Sequence, residues 1–234
     1  EGVDVAIAAR TKADLDAAAA EIAAETGRKI IGIPTDTTNS DDVQNMVDTA
    51  VSELGGVDIL VNSAAMVGGQ IRGTLEEAEE SDLIEDLDTK VVGYFRCIKA
   101  VVPHMKAQKW GRVISIGGVS ARQSTIYGLR NAAIVHLTKT LSDQLGGDGI
   151  TLNVVHPGLT LSEVIEDRLN AQAENQGVSR DDVNAAVSQN VAIGRPIDPQ
   201  ELAWLTAYLA SPKAECVTGE TIAAGGGAKG GVHQ

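Results

Sequence analysis

The sequence of 234 residues has only two cysteines, and they are not paired. Cys97 and Cys216 stand outside any CxxC motif, and the four histidines are scattered along the chain. This pattern argues against a metal site, so none is expected. Reduced thiols are the default in the cytosol, and so low a cysteine content agrees with that compartment.

The chain also lacks a basic stripe and a long apolar run. Its 19 lysines and arginines are outnumbered by 32 aspartates and glutamates, which gives a net charge of −13. Nucleic acid is therefore not an expected partner. No apolar run approaches the length of a membrane span, and the amino end shows no signal-peptide pattern. We therefore predict a cytoplasmic protein that does not engage a membrane.

What the chain does contain is a regular alternation of short apolar strands and amphipathic helices. Strands are predicted at residues 3–9, 29–33, 57–61, 112–116, 150–155 and 221–224, with helices between them. This alternation implies right-handed β–α–β crossovers and a parallel sheet covered on both faces. No change in composition marks a linker, so residues 1–234 are predicted to form one α/β domain with a doubly wound sheet.

The stretch at residues 111–146 is predicted to form a buried strand, a short polar loop and a long helix. The strand ends in Gly117 and Gly118, which leaves open space at the carboxyl edge of the sheet, where ligands bind in such folds. The helix begins near Tyr127, and Asn131 lies one turn later on the same face. A tyrosine placed in this way suits proton transfer, or it anchors a loop through its hydroxyl group.

The same helix carries its apolar side chains at helical spacing, which predicts its buried face. These positions are Leu129, Ala132, Ala133, Leu137 and Leu141. If the prediction holds, this face packs against the sheet.

Several short motifs occur together and in a fixed order. They are Arg10 after the first strand, Asp36 after the second, Asn62-Ser63-Ala64-Ala65, Tyr127 at the start of a long helix, Pro157-Gly158 after a strand, and Val217-Thr218-Gly219 before the last strand. With these motifs the chain resembles a short-chain dehydrogenase/reductase over residues 3–224. The resemblance implies a Rossmann-type domain that binds NAD(H) or NADP(H) and transfers a hydride between nicotinamide and a carbonyl or alcohol.

The chain departs from that family at its catalytic lysine and asparagine. The family tyrosine matches Tyr127, but Asn131 occupies the lysine position and Lys90 the asparagine position. Bringing a tyrosine pKa of about 10 to near neutrality requires roughly 3 units, or about 4 kcal/mol. A cation ~4 Å away supplies about that much at an effective dielectric of ~20, and a neutral asparagine cannot. We predict that Lys90 replaces the lysine and that Asn131 completes the relay or holds the ribose. Alternatively, Lys90 extends into solvent and the site is degenerate.

A third departure concerns the group that polarises the substrate carbonyl. Gly118 occupies the position of the family serine. Ser120 is the preferred substitute because of its reach, with Ser115 and Ser124 as alternatives. The glycine could instead make room for a bulky substrate.

The residues around the first strand indicate which cofactor the resemblance implies. Arg10 directly follows Ala9, where NAD-preferring relatives usually carry an acid. A guanidinium there can pair with a 2′-phosphate, so NADP(H) is favoured over NAD(H), unless Arg10 is only a solvated charge. The resemblance assigns Asp36 to the adenine amino group, Asn62, Ser63 and Ala64 to the adenosine ribose, and Pro157, Gly158 and Thr160, with Ser162 as an alternative to Thr160, to the nicotinamide side.

One family element is not found at the beginning of the chain. A Gly-rich strand–turn–helix usually cradles the pyrophosphate, and none precedes residue 3. In a doubly wound sheet this first strand is central, between the strands at residues 3–9 and 57–61. Without it, backbone groups in the middle of the core would be unpaired. We therefore expect the chain to be cut short at its amino end. A protein that truly began at Glu1 should bind a dinucleotide poorly.

Three functions remain open at this point. The first is an NADP(H)-dependent carbonyl reductase or alcohol dehydrogenase that acts on a small molecule. The second is a catalytically degenerate Rossmann-fold protein that binds a nucleotide or a partner. The third is a different chemistry that retains Tyr127 as an acid or base. By resemblance, the long helices near Ser81 and Tyr127 predict a homodimer or homotetramer.

Overall fold

Strands and helices alternate through the residues that this computed structural model describes, which are 1–65, 74–122, 126, 128–227 and 229. The strands are β1 (Val5–Ala9), β2 (Ile30–Pro34), β3 (Ile59–Asn62), β4 (Gly111–Ile116), β5 (Ile150–Pro157) and β6 (Thr221–Ala224). The helices are α1 (Lys12–Thr26), α2 (Ser40–Leu54), α3 (Glu80–Leu87), α4 (Gly93–Gln108), α5 (Gly128–Leu145), α6 (Glu163–Gln176), α7 (Arg180–Val187) and α8 (Pro199–Ala210). A π-helical turn, Asp88–Val92, joins α3 to α4.

Every strand pair is parallel, and the predicted α/β class is confirmed. The strands form two sheets, one with β1 beside β2 and the other in the order β3, β4, β5, β6. Among the described residues no pairing joins β1 to β3, and the break falls where the sequence analysis expects another central strand. In the larger sheet Ile116 pairs with Val155, so Gly117 and His156 lie side by side just beyond them.

The hydrophobic core occupies both faces of the larger sheet, because successive side chains of a strand point to opposite faces. On one face, Val113 of β4 packs with helices α2, α4 and α5, and on the other Ile114 packs with α8. Burying each such aliphatic side chain contributes about 1.5–3 kcal/mol. The first cluster consists of Val47, Ile98, Val101, Met105, Val113, Leu145, Ile150 and Leu152, and it ties α2 to the larger sheet.

Helix α5 packs with a different face from the predicted one, so that prediction is wrong. Leu129 is 48% exposed, while Arg130, Asn131, Ile134 and Thr138 are buried. On the buried face, Ile134 packs against Val154 of β5, and Asn131 and Arg130 are held by polar partners. Of the predicted apolar positions, Leu129 is exposed and the others are half-buried, whereas the apolar Ile134 and Leu145 of the same helix are buried.

The end of the chain that follows β6 is held by backbone hydrogen bonds. Ala192 N donates to Gly227 O at 2.7 Å, Ile193 N donates to Gly226 O at 3.1 Å, and Lys229 N donates to Asn190 O at 2.9 Å. This segment of the tail therefore forms a strap along residues 190–193. No helix in the described ranges combines the length and apolar character that crossing a bilayer requires.

Candidate active site

The candidate site lies at the carboxyl ends of β4 and β5, where two glycines allow close packing. Gly118 N donates to Nδ1 of His156 at 2.8 Å. A Cβ atom on Gly117 would lie 2.2 Å from the same nitrogen, so a larger residue could not occupy position 117 without moving the imidazole. His156, which is buried at the end of β5, was not predicted from the sequence as a site residue. Its only signal was its place directly before the Pro157-Gly158 motif.

Lys90 points into this site from the π turn. Its Nζ donates to Oδ1 of Asn131 at 2.9 Å and to the carbonyl of Gly117 at 3.2 Å. The residue is only 3% exposed, so the alternative in which Lys90 extends into solvent is wrong. Lys90 and Asn131, the two residues that are exchanged relative to the family, are therefore in direct contact, and their contact joins the π turn to α5.

The contact continues from Asn131 to a hydroxyl group. Nδ2 of Asn131 donates to Oγ of Ser120 at 2.8 Å. A Cβ atom on Gly118 would lie 3.0 Å from the same Nδ2, which is a tight approach. Lys90, Asn131 and Ser120 thus form one hydrogen-bonded chain, and Gly118 leaves room for it. Tyr127 and Ser124, also named from the sequence, lie outside the described residues.

Burial governs the charge of Lys90. The pKa of its amine is lowered to about 7, mainly by desolvation and also by the nearby Arg130 cation, while Asp86 acts in the opposite direction. The amine lies 5.9 Å from the centroid of the Tyr94 ring. Burial raises the pKa of Tyr94, whose hydroxyl donates to the carbonyl of Ile116 at 3.1 Å. Near neutral pH, Lys90 can therefore gain or lose a proton while Tyr94 remains neutral.

The residues assigned to the adenosine end lie beyond β1, β2 and β3. Arg10 is exposed directly after β1. The carboxylate of Asp36 accepts hydrogen bonds from Thr38 N at 2.9 Å and Thr38 Oγ1 at 2.7 Å. These bonds lower the pKa of Asp36, and the positive charges of Arg10 and Arg96 lower it further. Arg10 is thus within electrostatic reach of Asp36.

The remaining assigned residues follow β3 and β5. Asn62 is buried and its Nδ2 lies 3.5 Å from Oγ of Ser115, whereas Ser63 and Ala64 are exposed. Thr160 Oγ1 donates to the carbonyl of Gly158 at 3.2 Å. Pro157 is the last residue of β5. A Cβ atom on Gly158 would lie 2.7 Å from Cα of Gly225, so the loops that follow β5 and β6 are in contact through the backbone of two glycines.

These residues share one edge because the carboxyl ends of parallel strands lie together. The edge offers amide, hydroxyl and guanidinium groups and a buried amine. Within the described ranges, no three histidine, cysteine, aspartate or glutamate side chains are grouped as metal ligands would be. The chemistry on offer is hydrogen bonding and proton transfer.

Comparisons with known proteins agree on one family. The model described as enoyl-(acyl carrier protein) reductase matches residues 1–229. The chain is 34% identical over 230 residues to the short-chain reductase protein NovJ of Streptomyces niveus, and the alignment covers 97% of this chain and 85% of NovJ. It is 30% identical over 249 residues to the 3-oxoacyl-[acyl-carrier-protein] reductase FabG of Vibrio cholerae, and this alignment covers 95% of this chain and 96% of FabG.

Solved structures of two enzymes are similar to the whole of the described fold. L-sorbose reductase from Gluconobacter frateurii, complexed with NADPH and L-sorbose, has a TM-score of 0.92 and 26% identity, covering 99% of this chain and 89% of that chain. NAD+-bound xylitol dehydrogenase has a TM-score of 0.84, covering 96% of this chain and 88% of that chain. At 24% identity the second structure supports the fold alone.

Proposed function

This chain belongs to the short-chain dehydrogenase/reductase family, and from this premise we propose that it reduces a small carbonyl compound with NADPH or oxidises the corresponding alcohol. Its relatives are reductases by name, and the chain is a hydride-transfer oxidoreductase that uses a nicotinamide dinucleotide. The preference for NADP(H) and the identity of the catalytic side chains belong to the proposal.

The observation that carries the proposal is the contact between Lys90 and Asn131. It brings an amine to the position where the family lysine is replaced by an amide. In the proposed site, Tyr127 exchanges the proton with the substrate oxygen, and the charge on Lys90 favours the phenolate form of Tyr127. Asn131 holds the amine in place through its carbonyl oxygen. The bound nicotinamide would supply or accept the hydride.

Ser120 is the proposed donor to the substrate oxygen. Its oxygen accepts the amide hydrogen of Asn131, so its own hydroxyl hydrogen is left to donate elsewhere. A carbonyl oxygen that receives this bond becomes easier to reduce, because negative charge develops on it as the hydride arrives. Gly118 contributes by its small size, since a side chain there would crowd Asn131.

In the proposed complex, the two ends of the dinucleotide lie along the carboxyl ends of the strands of both sheets. Exposed Arg10 offers a guanidinium to a 2′-phosphate, and this supports NADP(H). Asp36 would meet the adenine, Asn62, Ser63 and Ala64 the ribose, and Pro157, Gly158 and Thr160 the nicotinamide side. The turn between β1 and α1 contains no glycine, so it does not provide the phosphate cradle typical of the fold. The structure of the similar L-sorbose reductase contains NADPH, and this also supports NADP(H) as the cofactor.

Partly exposed apolar side chains support the proposal that the chain forms a homodimer or homotetramer. Val92, Phe95 and Leu129 are 38%, 43% and 48% exposed, and they lie on the π turn, α4 and α5. Burying them against a second copy would remove apolar surface from water. A cytoplasmic location stays a prediction from the sequence.

The test of the function is a Lys90→Met variant assayed with NADPH and a panel of ketones. We expect turnover to fall at least 100-fold, of the order attributed to acid–base groups, while NADPH binding followed by fluorescence stays within about threefold. Lys99→Met serves as the matched control, because Lys99 is an exposed lysine of α4. NADPH binding without turnover in the parent protein would instead favour the nucleotide-binding alternative.

A further inference from the structure

A second buried charge pair lies beside Lys90. The guanidinium of Arg130 on α5 forms an ion pair with the carboxylate of Asp86 in the last turn of α3, and both side chains are only 2% exposed. Arg130 is the residue before Asn131, and Asp86 is four residues before Lys90. The pair therefore connects the two segments that carry the Lys90–Asn131 contact.

The cost of burial makes this arrangement informative. Removing two charges from water is so unfavourable that a buried ion pair gives little net stability compared with apolar residues. Three ionisable groups lie together here, and each is at most 3% exposed: Asp86, Lys90 and Arg130. When Lys90 is neutral the three have no net charge, and when it is protonated they carry one positive charge. Such a cluster is better explained by control of the amine than by stability.

The local backbone also depends on this connection. The π turn holds Lys90, and Thr37 Oγ1 donates to its Thr89 carbonyl at 3.3 Å. On its other side, the turn packs against α5. The Asp86–Arg130 pair fixes α3 to α5 directly before this turn, so it sets where the amine meets Asn131.

We propose that Asp86 and Arg130 are a positioning pair for Lys90: they fix the π turn against α5 and balance the charge around the amine, so that the amine can exchange a proton. This inference rests on the proposed function, in which Lys90 acts on Tyr127. The opposite effects of the two groups on the pKa of Lys90 support it, since Arg130 lowers that pKa and Asp86 raises it.

The other charged or titratable groups that the structure describes near Lys90 have hydrogen-bond or ion-pair partners of their own. Tyr94 of α4 donates its hydroxyl to a backbone carbonyl, and His156 of β5 accepts from the Gly118 amide. Asp88 of the π turn forms an ion pair with Arg96, which also donates to Thr37 O in the loop after β2. Among the described residues, Asp86 and Arg130 are the two charged groups whose effect on the pKa of Lys90 is resolved.

The experiment measures the protonation of Lys90 directly. Lysine labelled with 13C at Cε is incorporated, the Lys90 signal is assigned by its loss in Lys90→Met, and its position is followed from about pH 5 to 11. We expect the parent midpoint near 7. Asp86→Asn removes the counter-charge of Arg130 and should lower the midpoint by about 1 pH unit or more, while Arg130→Gln should raise it by a similar amount.

Opposite shifts are the decisive result. A pair that only held the fold together would, when broken, admit water and move both midpoints upward towards the ordinary value for lysine. Two shifts in the same direction, or no shift, would therefore overturn the inference. The double variant Asp86→Leu/Arg130→Met serves as the packing control, with a midpoint expected close to that of the parent. If Asp86→Asn does not fold, Asp86→Leu replaces it.

A pH profile of turnover separates this inference from the function on which it rests. If the profiles of the single variants follow the shifts in the Lys90 midpoint, both proposals stand. If the midpoints shift in opposite directions but turnover does not follow them, the pair controls Lys90 and the proposed catalytic role of Lys90 is wrong.

Discussion

Gly117 and His156 lie in direct contact at the ends of adjacent strands, and a Cβ atom on the glycine would come within 2.2 Å of the imidazole. Because the same imidazole accepts the amide hydrogen of Gly118, its position determines the course of the backbone at the end of β4. The carbonyl of Gly117 in turn accepts from Lys90. His156 of β5 thus sets the position of the Gly117 carbonyl, which accepts a hydrogen bond from the Lys90 amine.

Substituting Gly117 with alanine should destabilise the protein and displace the histidine. Overpacking of this kind costs about 1–3 kcal/mol of the free energy of unfolding. Urea denaturation measures the loss, and Gly146→Ala is the matched control, because a Cβ atom there meets no atom within 4 Å. Equal stability of the two variants would mean that the imidazole moves away at no cost.

Restoring the family serine through Gly118→Ser should lower turnover rather than raise it. The new Cβ atom would lie 3.0 Å from Nδ2 of Asn131, so the amide must shift and its bond to Ser120 weakens. We expect a loss of about tenfold in turnover, corresponding to about 1.4 kcal/mol. Ketone reduction by this variant is compared with Ser120→Ala. An increase in turnover would show that position 118 can supply the donor itself.

The contribution of Lys90 to the stability of the protein should rise as the pH increases from about 7 to 10. Because burial lowers the pKa of Lys90 to about 7, the unfolded chain binds more protons than the folded one in this range. The free energy of unfolding then increases by up to about 1.4 kcal/mol per pH unit from this residue alone. Below pH 7 both states hold the proton, and the full cost of burying the charge remains.

Lys90→Met isolates that contribution. We expect the variant to be more stable than the parent at pH 6 and the difference to shrink as the pH rises towards 10. Urea unfolding at several pH values measures it, with Lys99→Met as a control in an exposed position. A difference that does not change with pH would mean that Lys90 is not buried as a titrating amine.

Arg10→Ala should weaken the use of NADPH more than that of NADH. An exposed guanidinium that pairs with a 2′-phosphate contributes to NADPH alone, so we expect the KM for NADPH to rise about tenfold, equivalent to about 1.4 kcal/mol. Lys12→Ala is a suitable control, because Lys12 is an exposed cation whose partner is Asp16. Equal losses with the two cofactors would assign Arg10 no role in choosing between them.

Local patterns in the sequence were enough to predict the strands, the helices and the parallel arrangement. The strand at residues 221–224 was placed without error, and Asn39 accepts hydrogen bonds from the first turn of α2 as an N-cap. Such features depend on neighbouring residues, which the sequence contains in full. The exchanged Lys90 and Asn131 were found because the resemblance supplied the positions to compare.

Contacts between distant segments could not be predicted in the same way. The Asp86–Arg130 pair joins residues 44 apart, and the contact of Gly118 with His156 joins residues 38 apart. The prediction of the buried face of α5 was wrong for a related reason. An apolar stripe that begins at Leu129 has the spacing of a core face, but Leu129 is 48% exposed because the sheet packs against a neighbouring face of the helix. Tertiary packing, and not periodicity, decides which face of this helix is covered.

The strap at the end of the chain links the tail to the segment that follows α7. Three backbone hydrogen bonds join residues 190, 192 and 193 to residues 229, 227 and 226, and Gly158 touches Gly225 where the tail begins. The segment that follows α7 and the segment that follows β6 are therefore held together, although they are far apart along the chain. A protein shortened after Ala224 should keep its sheets but lose these hydrogen bonds, so residues 190–193 should become less rigid.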